Sequence, residues 1–416
     1  MHKDNNSVKY FVLKFLSLFL LLIILVSCEE PRPELGLKSG VWRGEITAQG
    51  NNIPFNFEVK KDEGAYEILL INGMEKLKID RIDIIGDSLF FDMHIFDISI
   101  KAEIDKEKLS GSYSKNYADG YVLPFRATYG KPRRFDNITV SDAFDGTWET
   151  TFTDKNGKKT SAIGIFESDS TGLNGTFLSK TGDYRFLDGY VEKDTMHLYS
   201  FDGNHIYKFK VRKENDSILK GEFWSGKTSY KTFVSMRNDS ARLPDANSLT
   251  YLKEGYDEID FSFPDLEGNM VSLSDEKFEN KVVILQILGT WCPNCMDETR
   301  FLSDWYKKNN SEEVEILGLA YEIRPDFEYA KERVLTMKAK MNVPYDFVIA
   351  GTSSTKSASE SLPMLNKVIS FPTSIIIDKK GKVRRIHTGF SGPATGIYYE
   401  EFVDDFNQFM SSLLNE

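Results

Sequence analysis

Between residues 40 and 238 apolar and polar positions alternate with a period of two. Ile53-Pro-Phe55-Asn-Phe57-Glu-Val59 and Tyr207-Lys-Phe209-Lys-Val211 each place every second side chain on one face, the pattern of half-buried strands. Turn residues interrupt it at short intervals, at Asn72-Gly73, Gly86-Asp87 and Asp202-Gly203-Asn204. No helical period shows here, so this half predicts antiparallel β structure, barrel- or sandwich-like. Past residue 258 the pattern changes. Val282 to Leu288 and Val314 to Ala320 are nearly unbroken apolar runs, and each predicts a strand buried on both faces of a sheet. Helical spacing follows the first run, with Phe301, Leu302, Trp305 and Tyr306 between residues 296 and 308. A polar helix is expected over residues 326–341, a strand hairpin over 374–387, and an amphipathic helix through Phe402, Phe406, Phe409, Met410 and Leu413. Strands alternating with helices predict an α/β sheet covered on both faces.

The β half also reads as a duplication. Gly40-Val-Trp42-Arg-Gly44 lines up with Gly146-Thr-Trp148-Glu-Thr150, and Lys108 to Tyr113 with Ile218 to Phe223. Gly86-Asp87-Ser88-Leu89 lines up in the same way with Lys193-Asp194-Thr195-Met196. The expected organisation is a β unit at 40–135, a second at 140–238, a linker at 239–257 and the α/β domain at 258–416. Trp42 and Trp148, opening the two units, read as core. His94, His197 and His205 lack metal-ligand spacing. With no catalytic constellation in it, this half reads as spacer or as a docking surface for a client or partner.

The first 27 residues form a different segment. Lys3, Lys9 and Lys14 flank and enter an apolar stretch from Phe11 to Val26, the parts of a secretory signal. Leu25-Val26-Ser27-Cys28 resembles the lipobox of bacterial lipoproteins, which implies lipidation of Cys28 and a mature chain that starts there. Residues 28–39, with two prolines, are the expected tether. The chain would then face the periplasm from a membrane of the cell envelope. A formal charge of −11 over 416 residues argues against a nucleic-acid partner and supplies no polybasic anchor.

Three cysteines are present. Besides Cys28 there are Cys292 and Cys295, in Trp291-Cys292-Pro293-Asn294-Cys295, where a buried strand turns into a helix. Unpaired N–H groups and the macrodipole at a helix N-terminus favour a thiolate, so the first cysteine should titrate well below the free value of about 8.5. The spacing lets the second cysteine reach back and close a disulfide. A half zinc site would need two further ligands, and neither a second Cys pair nor a His pair exists in the sequence. An inert structural disulfide is the other bland reading, and a strand-to-helix corner opened by Trp is a poor place to hide one.

On these residues the C-terminal part resembles thioredoxin, and within it the extracytoplasmic TlpA-like branch. Trp291 to Cys295 matches the Trp-Cys-x-x-Cys site, Phe371-Pro372-Thr373 the cis-proline loop, and Phe263 to Gly268 the entry segment. Glu298, three residues past the second cysteine, matches a carboxylate that the branch places beside the site. The resemblance implies a thiol–disulfide oxidoreductase that needs no cofactor beyond its own redox-active disulfide. Cys292 would be the exposed nucleophile and Cys295 the resolving thiol. Pro372 would present backbone to an extended client, and Trp291, Phe371 and Thr373 would border it. Glu298 would move the proton, because Gln286 stands where thioredoxin has a buried Asp. Clients such as apocytochromes or mispaired disulfides are implied. No nicotinamide or flavin fingerprint occurs, so electrons are expected from a membrane dithiol donor. The rival is a copper chaperone on the same fold, with Cys292, Cys295 and His387 as ligands, although such carriers resemble Cys-x-x-x-Cys, one residue longer. A peroxiredoxin would need Thr at position 289, which is Gly289.

Overall fold

In a computed structural model the alternating half of the chain folds into two successive antiparallel β units, followed by an α/β domain. The structure describes residues 36–79, 81–93, 95–136, 141–170, 172–309 and 313–416. The expected signal at 1–27, Cys28, most of the tether, and His94 lie outside them. Residues 37–416 form one compact unit.

The first β unit begins with β1 (Gly40–Ala48), β2 (Asn51–Asp62), β3 (Ala65–Asn72) and β4 (Glu75–Ile79). It continues with β5 (Ile82–Ile85), β6 (Ser88–Asp92), β7 (Ile98–Asp105), β8 (Lys108–Lys115) and β9 (Val122–Tyr129). Among the described residues these form one sheet in the order β4-β3-β2-β1-β9-β8-β7-β6-β5. The second unit begins with β10 (Gly146–Asp154), β11 (Lys159–Asp169), β12 (Gly172–Ser179), β13 (Gly182–Asp183) and β14 (Leu187–Glu192). After them come β15 (Thr195–Phe201), β16 (Ile206–Asn215), β17 (Ile218–Ser225) and β18 (Ser229–Arg237). Here β12 pairs with both β11 and β14, so the hydrogen-bonded ring closes into a barrel. Period-two burial produces this: in β1 and β10 alternate side chains point inward, and the inward set includes Trp42 and Trp148, both fully buried. Each indole N–H donates to the carbonyl four residues upstream, Trp42 to Lys38 at 2.9 Å and Trp148 to Phe144 at 2.8 Å. Both tryptophans are therefore core, with their one polar atom satisfied. The units meet where Phe201 packs on Phe55, ring centroids 4.3 Å apart.

The C-terminal domain opens with a small hairpin, β19 (Phe263–Pro264) and β20 (Met270–Val271). Its main sheet holds β21 (Val282–Leu288), β22 (Val314–Glu322), β23 (Asp346–Thr352), β24 (Thr373–Ile377) and β25 (Val383–Thr388), in the order β23-β22-β21-β24-β25. The helices are α1 (Pro293–Lys308), α2 (Phe327–Met341), α3 (Thr355–Ser361) and α4 (Ile397–Leu414). All seven residues of β21 are buried, as an unbroken apolar run in mid-sheet requires. The pattern reading does not anticipate β23 and α3, because a short edge strand with a polar start carries neither a long apolar run nor clean alternation. Residues 246–252 lie along this domain, with Tyr251 N donating to Asn366 Oδ1 at 2.9 Å.

Candidate active site

Strand β21 delivers the chain to Gly289-Thr290-Trp291, and α1 begins immediately after. Cys292 is the N-cap of α1, and its Sγ accepts the Cys295 N–H at 3.2 Å. That places Sγ on an unpaired helix-start amide at the positive end of the dipole, the electrostatics that stabilise a thiolate when the pair is reduced. The two cysteines are bridged, with Cα atoms 5.2 Å apart. Opposite them the Phe371–Pro372 peptide is cis, and Cys292 Sγ lies 3.6 Å from the Phe371 carbonyl oxygen. Trp291 donates its indole N–H to Tyr321 O at 2.9 Å and sets its ring edge-on to Phe371, centroids 5.5 Å apart. Thr373 is fully buried and donates its hydroxyl to Ser370 O at 2.9 Å, so its side chain braces the loop.

Glu298 and Glu322 are two of the buried carboxylates around the pair. Glu298, one turn into α1, sits over the β21–β24 ladder, where Gln286 pairs with Ser374. Its Oε2 accepts from Gln286 Nε2 at 2.9 Å and its Oε1 from the Ser374 hydroxyl at 2.6 Å. Burial pushes Glu298 up to about 7, against the pull of those two donors. A carboxyl in that range can take and return a proton near neutrality. Gln286 cannot titrate, yet it orients the group that does, and Tyr345 O–H donates to its Oε1 at 3.0 Å. The second carboxylate, Glu322, ends β22. It accepts from Thr290 N and Thr290 Oγ1, both at 2.8 Å, and burial raises it to about 7. The sequence reading missed it, although a charged residue closing a buried strand at its carboxyl end is a signal for a site in an α/β sheet.

The family model for redoxins matches residues 244–398. The thiol-disulfide oxidoreductase ResA of Bacillus subtilis is 28% identical over 138 residues, 33% of this chain and 69% of that protein. ResA of Bacillus thuringiensis is 31% identical over 129 residues, 31% of this chain and 66% of its own length. The C-terminal region is a redoxin domain of the ResA type. Among solved structures, a thiol-disulfide oxidoreductase from Bacteroides fragilis aligns at 25% identity and a TM-score of 0.26, covering 35% of this chain and 99% of its own. The thioredoxin domain of a thiol-disulfide oxidoreductase from Bacteroides vulgatus aligns at 24% and 0.28, covering 37% and 99%.

The geometry of the redoxin domain corrects two expectations. Cys292 is not exposed: it is 7% accessible and Cys295 is fully buried, and loops of the second β unit bond to the residues on either side of Cys292. Asn294 donates Nδ2 to Asp183 O at 3.0 Å, and Asn204 donates Nδ2 to Trp291 O at 2.7 Å. Arg185 donates to Pro293 O at 3.0 Å and forms an ion pair with Asp297 of α1. Nor does His387 join the cysteines. Its Nδ1 lies 3.0 Å from Asn247 Oδ1, its ring packs on Phe402, and burial pulls it down to about 4. Among the described residues no three His, Cys, Asp or Glu side chains converge as metal ligands, so the copper set is not assembled.

Proposed function

We propose that the protein is a lipid-anchored, periplasm-facing oxidoreductase that reduces disulfides in client proteins. The observation that carries the reading is the Cys292–Cys295 disulfide at the start of α1, with Sγ of the first cysteine against the cis Phe371–Pro372 loop. In the reduced state the Cys292 thiolate attacks one sulfur of the client disulfide. A mixed disulfide forms and the other client sulfur leaves as a thiolate. Cys295, deprotonated by Glu298, then attacks Cys292 Sγ and expels the second client thiolate. Two electrons pass to the client, and the enzyme pair is left oxidised. A membrane dithiol returns it to the reduced state. Export through residues 1–27 and lipidation of Cys28 complete the assignment, on the signal and lipobox pattern of the sequence.

Two measurements test it. Cys295→Ser should accumulate a client mixed disulfide on Cys292, and Cys292→Ser should accumulate none and lose reduction altogether. Retained activity in Cys292→Ser would sink the mechanism. A reduction potential near or below about −270 mV fits a reductase, and one near about −120 mV would reverse the proposed electron flow.

A further inference from the structure

Resting on that exchange reaction, the cover over the disulfide can be given a role. It consists of two stretches of the second β unit, residues 181–185 around β13 and residues 202–204 between β15 and β16. Their bonds reach the start of α1, the residue before Phe371 and the loop at Gly392. Besides those to Trp291, Pro293 and Asn294, Ser370, two residues before Pro372, donates its hydroxyl to Thr181 O at 2.9 Å. Gly392 N donates to Asp183 Oδ2 at 2.6 Å. The approach is at backbone distance. A Cβ on Gly182 (φ +127°) would stand 2.6 Å from Asn294 Nδ2, and one on Gly389 would stand 3.0 Å from the Thr181 carbonyl carbon. Beneath the cover, the Arg185 guanidinium, itself buried, meets Asp297 of α1, Glu75 of β4 at 2.5 Å and Asp202 at 3.1 Å. One side chain thus ties the cover to both of its neighbours.

The groups held by the cover are those that an extended peptide would satisfy. Thr181 and Asp183 offer carbonyls at alternate residues, as one edge of a strand does, to the Ser370 hydroxyl and the Asn294 amide. The Trp291 carbonyl, bonded to Asn204, would accept a client N–H equally well.

We propose that residues 181–185 and 202–204 determine which disulfides reach Cys292. Seated, they exclude a disulfide on a folded protein surface and leave the pair open to small dithiols alone. An extended client segment gains access by taking over the Ser370, Asn294 and Trp291 hydrogen bonds. The test is to reduce the oxidised full-length chain with dithiothreitol and with a reduced protein dithiol, and to follow the Cys292–Cys295 thiols by alkylation and mass. The quantity read is the ratio of the two rate constants, protein to small molecule.

Asn204→Ala removes the Nδ2 bond to Trp291 O together with the Oδ1 acceptor of Lys115 Nζ and Tyr117 O–H. It should raise that ratio by at least about fivefold, the factor carried by the one bond to the site. Arg185→Met should raise it by about a hundredfold, since it unpairs the buried ion cluster. Asn204→Ala keeps the test decisive if Arg185→Met does not fold. An unchanged ratio in a variant whose circular dichroism matches the parent overturns the proposal. A pair that dithiothreitol cannot reduce in parent or variants would instead overturn the exchange reaction itself.

Discussion

In the first β unit the chain turns after Asn72 at Gly73 and runs back as β4, five residues paired to β3. In the second, the chain after Ser179 forms only β13, two residues, and then leaves the barrel towards the redoxin domain. The rest corresponds strand for strand. Gly111 faces Phe125 across β8 and β9, as Gly221 faces Phe233 across β17 and β18. Gly44 faces Ala127 where Thr150 faces Ser235. The comparison teaches that one barrel plan can hold its core while a single strand is cut short and its residues are spent elsewhere. With β13 reduced to a stub, β12 pairs directly with β14 and closes the ring, and Arg185 and Asp183 are free to reach Pro293 at the start of α1 and Gly392.

The strongest test of the equivalence is in the cores. Trp42→Ala and Trp148→Ala should each cost about 4 kcal/mol in equilibrium denaturation, because each removes a fully buried indole and its bonded N–H. A much smaller loss in one would mean that the two tryptophans are not counterparts.

The next contrast sets the cover against what it covers. Burial would raise Asp202, but His205 and Arg185 outweigh it and hold that carboxyl well below its usual range. Its contribution to stability is present above about pH 4 and is lost as the pH falls further. Glu298 has the opposite sign. With its folded value raised to about 7, the folded state binds the extra proton, so stability falls as pH rises from about 4.5 through 7. The loss from this group is roughly 3 kcal/mol. Glu298→Gln should make the decline between pH 5 and 8 shallower in urea titrations, with Glu322 keeping its own share, and a decline of unchanged slope would mean that Glu298 stays ionised throughout.

Smaller differences separate the twin strands. A Cβ at Gly111 would stand 1.9 Å from the Lys101 carbonyl oxygen, whereas at Gly221 it would meet the tip of the Phe233 ring at 2.1 Å. Backbone yields less than a ring, so Gly111→Ala should cost about 3 kcal/mol and Gly221→Ala about 1 kcal/mol. Equal losses would show that the two sheets have the same freedom to adjust. The smallest effect concerns the Thr150–Ser235 hydroxyl pair, 2.8 Å apart and buried, which the first unit lacks. Ser235→Ala should cost about 1 kcal/mol, and the double change with Thr150→Val should recover most of it. A double variant worse than the single one would make the pair a net stabiliser.

Local pattern was enough for much of this protein. Period-two alternation specifies a half-buried strand because successive side chains point to opposite faces, and it located Ile53 to Val59 and Tyr207 to Val211, which lie in β2 and β16. The run from Val282 to Leu288, followed by Cys-Pro-Asn-Cys, was legible as a buried strand ending in a redox pair, since both features are contiguous in the chain. The duplication was legible for the same reason. Contacts between distant segments were not. That Gln286 would hold Glu298, that Glu322 would hold Thr290, and that His387 would turn to Asn247 depend on sheet register and on which helix lies over which strand. Least visible was the burial of Cys292. Residues 181–185 carry no local signal for it, because Arg185 finds Asp297 and Glu75 only when three segments distant in sequence come together. Sequence determined the chemistry of the pair, through residue type and spacing. Tertiary structure decided its accessibility, because exposure is a property of what packs against a group and not of the group itself.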